Sequence, residues 1–133
     1  MKAIVLAPGI RDAIIRHAED DRPNECCGLL AGHENGHVTR VIRLVNHLNS
    51  PFAFRSDPWS MRAAMRSIDE RGLHWLAVYH SHPRSLPVPS RRDRTEHFDP
   101  AILCVIVGWS DEAWSIRAWR MDSEPTELPF FEE

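Results

Sequence analysis

The stretch YHSHPRSLPVPSRRD, residues 79–93, crowds two histidines, three prolines and, at its end, a serine and an aspartate behind an apolar run. His80 and His82 are two apart at the end of what reads as a strand, and the period of a strand points both rings to one face. Two imidazoles can then converge on one ion. Ser90 follows a proline and opens a short polar segment that reads as a helix, so Asp93 stands in its first turn and can face back to the strand end. Together these residues make a two-histidine, one-carboxylate set with an open fourth position, the arrangement of catalytic rather than structural zinc. Nitrogen and oxygen ligands without thiolate also admit iron, manganese or cobalt. Each half of the pattern has a plainer reading. H-x-H alone suits a surface or core pair, SRRD alone a capping box, and Pro83, Pro87 and Pro89 a stiffened loop. The joint pattern, H-x-H-P, six residues, then S-x-x-D, is much more specific than either half.

Other reactive side chains lack comparable spacing. Cys26, Cys27 and Cys104 sit in apolar sequence without a CxxC pair, and Cys26 and Cys27, as neighbours in a strand, face opposite ways; packing is their expected role. His17, His33, His37, His47, His74 and His97 read as surface or loop residues. Trp59, Trp75, Trp109, Trp114 and Trp119 read as core and interface. Arg84, Arg91, Arg92 and Arg94 cluster around the motif as a solvated face, or as contacts for an acidic carrier surface or terminal carboxylate.

The elements that must position the motif follow from periodicity. KAIVL (2–6) reads as a strand, and apolar residues at 10, 13, 14, 17 and 18 mark a helix. CCGLLAG (26–32) and HVTRVIRLV (37–45) read as a hairpin around HENG. SDPWSMRAAMRSIDERG predicts a helix capped by Asp57, started by Pro58 and ended by Gly72. HWLAVYH (74–80) is a buried strand, SRRDRTEHF a short helix, and AILCVIVGW with AWSIRAWRM a hairpin around SDE. This order predicts an α/β fold, a mixed sheet with helices on its faces. The acidic, proline-broken tail is expected to be extended or disordered, with Phe130 and Phe131 free to dock.

Length and composition bound the rest. A chain of 133 residues supports one core and not two. Net charge of −3 gives no global drive towards nucleic acid or an anionic membrane. The N-terminus lacks the apolar stretch of a secretory signal, and no run approaches the roughly 20 residues that span a bilayer. A cytoplasmic protein is expected.

HSHPRSLPVPSRRD resembles the H-x-H-x(7)-S-x-x-D motif of the JAMM metalloproteases, also called the MPN+ or Mov34/PAD-1 domain. ECCGLLAG (25–32) is similar to that family's upstream E-x-C-G-x-L-x-G element. The resemblance spans nearly the whole chain. It implies a single-domain JAMM/MPN fold, cytidine-deaminase-like, with a curved mixed sheet flanked by helices, over residues 1–121, followed by an acidic tail at 122–133. It further implies that His80, His82 and Asp93 bind zinc with water as fourth ligand, that Glu25 is general base and acid, and that Ser90 helps hold the oxyanion. Nothing in spacing singles out Glu25 among 19 acidic residues. Its place before a buried run does suit a desolvated carboxylate with a raised pKa.

The chain lacks the long insertions of ubiquitin-directed members and is more similar to compact prokaryotic ones. The implied substrate is a ubiquitin-like or sulfur-carrier protein, cut after its C-terminal Gly-Gly. A side-chain-free tail can lie extended in a narrow groove, here expected between the 83–89 loop and residues 46–58. A homodimer is a candidate assembly. Two other readings stand beside this one: a non-catalytic MPN scaffold, which usually lacks the ligands present here, and a RadC-like DNA-repair protein, which should carry a helix-hairpin-helix module and a basic surface.

Overall fold

The structure, a computed structural model, describes residues 3–133. Its elements run β1 (Ile4–Leu6), α1 (Ile10–Asp21), β2 (Cys27–Gly32), β3 (His37–Leu44), α2 (Pro58–Glu70), β4 (His74–His82), α3 (Arg91–Glu96), β5 (Leu103–Ser110), β6 (Ala113–Met121), β7 (Pro125–Leu128) and β8 (Phe130–Glu132). All eight strands join one sheet in the order β7-β6-β5-β4-β2-β3-β1-β8. It is the mixed sheet that the element order predicts: β4 runs parallel to β5 and β1 parallel to β3 and β8, while the other neighbours are antiparallel. Lys2, the first residue of the expected β1, lies outside the described residues.

Alternation sorts the strands' side chains onto two faces. On one, Cys26, Leu30, Tyr79, Val105 and Val107 pack under Ile10, Ile14 and Ala18 of α1. On the other, Cys27, Leu29 and Ala31 pack under Ala64 and Ile68 of α2, with Cys104 and Ile106 beside them. Cys26 and Cys27 thus part as expected, and all three cysteines are buried and free. α2 starts as its sequence predicts, with the Asp57 carboxylate accepting from the Ser60 N–H and Pro58 at the first position. Among the described residues, no helix is long and apolar enough to cross a membrane.

The tail takes the extended one of its two expected forms: β7 extends the β5–β6 hairpin, and β8 pairs with β1 at the far edge, where Phe130 packs on the core while Phe131 stays 55% exposed. One expectation changes. His17 is not a surface residue. It is buried on the α1 face, with Nδ1 2.6 Å from the Tyr79 hydroxyl, over the spot that Gly28 leaves open; a Cβ there would lie 2.3 Å from the tyrosine ring. Trp75, Trp114 and Trp119 pack half-buried against the core as expected, while Trp59 is 75% exposed.

Candidate metal centre

The site is assembled by strand register. β2 runs antiparallel to β4 with Cys27 opposite His80, so Glu25, two residues earlier, falls level with His82, two residues later. The main chain prolongs the pairing past the end of β2: Ser81 N–H donates to Cys26 O at 3.1 Å, and Cys26 N–H to Ser81 Oγ at 2.8 Å. Period two then turns Glu25, His80 and His82 to the α2 face.

α3 supplies the third group. Ser90 caps it with Oγ accepting from the Asp93 N–H at 3.0 Å, while Asp93 Oδ2 accepts from the Ser90 N–H at 2.9 Å. This is the capping box expected of SRRD alone, and it aims the carboxylate at the strand end. The plain reading and the chemical one are the same geometry. Ser90 Oγ only accepts in the cap, so its O–H remains able to donate.

His80 Nε2 lies 3.2 Å from His82 Nε2, and Asp93 Oδ2 lies 3.1 and 3.0 Å from the two. Ligands around a tetrahedral zinc, with bonds near 2.0–2.1 Å, stand about 3.3 Å apart. The triangle therefore closes on one such ion. Among the described residues these three form the one such group of possible ligands. The outer nitrogens fit too. His82 Nδ1–H donates to Leu86 O at 2.9 Å, which leaves Nε2 free to bind. His80 Nδ1 faces Cys104 Sγ at 4.0 Å, and Phe54 stacks on its ring with centroids 4.6 Å apart.

Electrostatics match a site built for a cation. Burial would raise the Asp93 carboxyl, but His80, its hydrogen bonds to both imidazoles and the Ser90 N–H hold it far below the usual carboxylate range. Burial pushes His80 down and outweighs Asp93. On His82, burial is outweighed by the hydrogen bonds to Asp93 and Leu86 O, and the net shift is upward. Glu25 behaves differently: burial pushes it up to about 8, with Asp93 adding to the effect while His82 and Arg92 oppose it. It is only 5% exposed, and its Oε1 has no hydrogen-bond partner among the described residues. A buried polar atom without a partner is costly and marks a place where something else binds.

A cavity of about 410 Å³ runs from His80 and Asp93 over Cys27, Val78 and Cys104, between Phe54 and Phe98. Its walls are residues 53–56, within the expected 46–58 segment, and the α3 side. The 83–89 loop folds back on β5, where Gly108 leaves room: a Cβ there would lie 2.5 Å from Ser85 O. Trp119 Nε1–H pins that loop by donating to Pro87 O at 2.9 Å. Of the arginine cluster, Arg92 pairs with Glu96 and Arg94 with Glu124, while Arg84 and Arg91 are exposed. His97, expected at the surface or in a loop, lies in the loop after α3, half-buried against Asp99 O and Ile102 O, and lines the cavity. Phe54, Cys104 and Asn46 were not foreseen; each acts across elements, and no local spacing marks such contacts.

The family described as Prok-JAB, prokaryotic homologs of the JAB domain, matches residues 8–122. The chain belongs to that family. It is 33% identical over 123 residues to the desampylase of Haloferax volcanii, covering 88% of each chain. It is 30% identical over 129 residues to the CysO-cysteine peptidase of Mycobacterium tuberculosis, covering 95% of this chain and 88% of that one. The solution structure of DSY2949 from Desulfitobacterium hafniense superposes with a TM-score of 0.89 at 28% identity, over 98% of this chain and 92% of that one. The fold is thus that of the JAB, or JAMM/MPN, domain, and the chain is a hydrolase of the JAMM type.

Proposed function

We propose that this JAB domain is a zinc-dependent peptidase or isopeptidase that hydrolyses the amide bond after the C-terminal Gly-Gly of a ubiquitin-like or sulfur-carrier protein. The observation that carries it is the triangle of His80 Nε2, His82 Nε2 and Asp93 Oδ2, 3.0–3.2 Å on a side, beside the buried carboxylate of Glu25. In this reading those three residues hold the ion. Zinc there would supply Lewis acidity, polarising the scissile carbonyl and acidifying a water. Glu25, the buried carboxylate beside that triangle, would take that water's proton and return it to the departing amine. Ser90, its Oγ already an acceptor at the helix cap, donates its O–H to the developing oxyanion. The relatives named for desampylation and for CysO-cysteine cleavage support the substrate class. Three buried thiols suit a reducing cytoplasm.

The test is to incubate zinc-loaded protein, and Glu25→Gln beside it, with carrier proteins extended beyond Gly-Gly and to read intact masses. Release after Gly-Gly by wild type alone is expected. No cleavage of any carrier with zinc confirmed bound, or full turnover by Glu25→Gln, would overturn the substrate or the base respectively.

A further inference from the structure

We infer that Asn46 is a positioning residue: its side-chain amide takes over where the β2–β3 ladder stops and clamps the main chain of Glu25 to the loop that covers His80. The role rests on Glu25 being the base, as proposed above.

The last ladder pair between β2 and β3 is Cys27 with Leu44. Two residues further along each chain stand Glu25 and Asn46, on the same face as that pair. Here the side chain of Asn46 replaces the ladder. Its Nδ2 donates to Glu25 O at 2.9 Å and to Ala53 O at 3.0 Å. Its Oδ1 accepts from the N–H groups of Leu48 and Arg55, each at 3.1 Å. Both donors and both lone pairs are thus spent on main chain, and the residue is 8% exposed.

Glu25 is held at both of its main-chain groups by the same segment, because its N–H donates to Ser50 O at 2.8 Å. The segment closes on itself through the Asn46–Ser56 bridge and a 2.6 Å hydrogen bond from His47 N–H to Arg55 O. It carries Phe54, whose ring stacks on His80 at 4.6 Å. One carboxamide therefore ties the proposed base to the cover of the first histidine. The tie matters because Glu25 Oε1 has no partner of its own; its place is set from the backbone.

Asn46→Asp tests this with little change of shape. As a carboxylate it keeps both acceptor contacts and loses both donors, to Glu25 O and Ala53 O, while adding a buried charge for which the uncharged serine variant is the control. Asn46→Ser, uncharged and smaller, serves if the aspartate variant does not fold. In metal-free protein, amide exchange at Glu25 and across 47–56 should quicken about tenfold or more while β4 and β5 stay protected. Zinc affinity, read by chelator competition, should stay within about threefold, since Asn46 touches no ligand. In the zinc-loaded protein kcat should fall about 10–100-fold with KM little changed, the cost of a misplaced base. Unchanged exchange at Glu25, or quickened exchange with turnover within twofold of wild type, overturns the inference. Full turnover by Glu25→Gln overturns the base and not the clamp, which the exchange rates decide alone.

Discussion

Glu25→Gln should change how the metal-free protein responds to pH, independently of catalysis. In the folded chain burial raises this carboxyl from 4.5 to about 8, so between those values the native state holds a proton that the unfolded state has released. Stability then falls with rising pH, by about 1.4 kcal/mol per pH unit. The contribution is fully present below pH 4.5 and gone above about 8, and over that interval it amounts to at most about 5 kcal/mol. Glutamine fills nearly the same volume without a charge and escapes this loss. Wild type and variant, both kept metal-free with chelator, should therefore have similar stability near pH 4.5 and diverge steadily towards pH 8–9. There the variant should be the more stable, by several kcal/mol, or on the order of 15 °C in Tm for a domain of this size. Thermal and urea unfolding from pH 4.5 to 9 would measure it. Glu25 also helps hold His82 up, so the difference between the curves reads Glu25 together with its coupling to His82. Parallel curves across that range would show that the carboxylate is ionised and solvated in the folded state, and the argument for a buried base would fail.

Three other perturbations separate the parts of the site. Asp93→Ala removes one corner of the triangle and should cost zinc affinity by more than the roughly 10–100-fold expected for an outer-shell change, as read by chelator competition and metal content; retention of stoichiometric zinc would exclude Asp93 as a ligand. Gly108→Ala places a Cβ 2.5 Å from Ser85 O, pushes the 83–89 loop off β5 and loosens the bond from His82 Nδ1–H to Leu86 O. Zinc affinity should fall about 10–100-fold and stability by about 1–3 kcal/mol, measured by competition and urea melts, and unchanged values would show that the loop does not orient His82. Ser90→Ala should lose about 1 kcal/mol with the helix cap and about 100-fold or more in kcat with the hydroxyl donor, whereas Ser90→Thr should restore both. A variant that loses stability but keeps kcat would confine Ser90 to capping.

The grouping of His80, His82 and Asp93 is legible in the sequence because its geometry is local. H-x-H needs only the period of one strand, and S-x-x-D only the first turn of one helix; both signals fit inside residues 79–93. Asp57 and Pro58 marked α2 for the same reason. Glu25 was visible only through resemblance, since no spacing relates it to the histidines until β2 and β4 are in register. His17 was misjudged because a histidine at a helix's apolar positions looks like any other until Tyr79 arrives from β4 to bond it. For the tail, extended and disordered forms stay open in the sequence because β8 depends on a free edge at β1, and composition carries no record of a distant edge. The packing of the 83–89 loop is hidden for a similar reason: Gly108, on another strand, is what lets it fold back on β5.

The position of β2 explains why the proposed base stands where it does. This strand lies between β4 and β3, and the residues just before it, Glu25 and Cys26, reach past both ladders. On the β4 side, Ser81 continues the pairing with main chain and hydroxyl and brings Glu25 level with His82. On the β3 side no strand continues, and Asn46 fills in with a side chain. A carboxylate in mid-strand would have been fixed by ladders on both sides but buried under α2, away from any substrate. Beyond the strand's end it loses one of those supports. The Asn46 carboxamide restores that support while leaving the carboxylate tip without a partner, the condition a proton carrier needs between its two transfers.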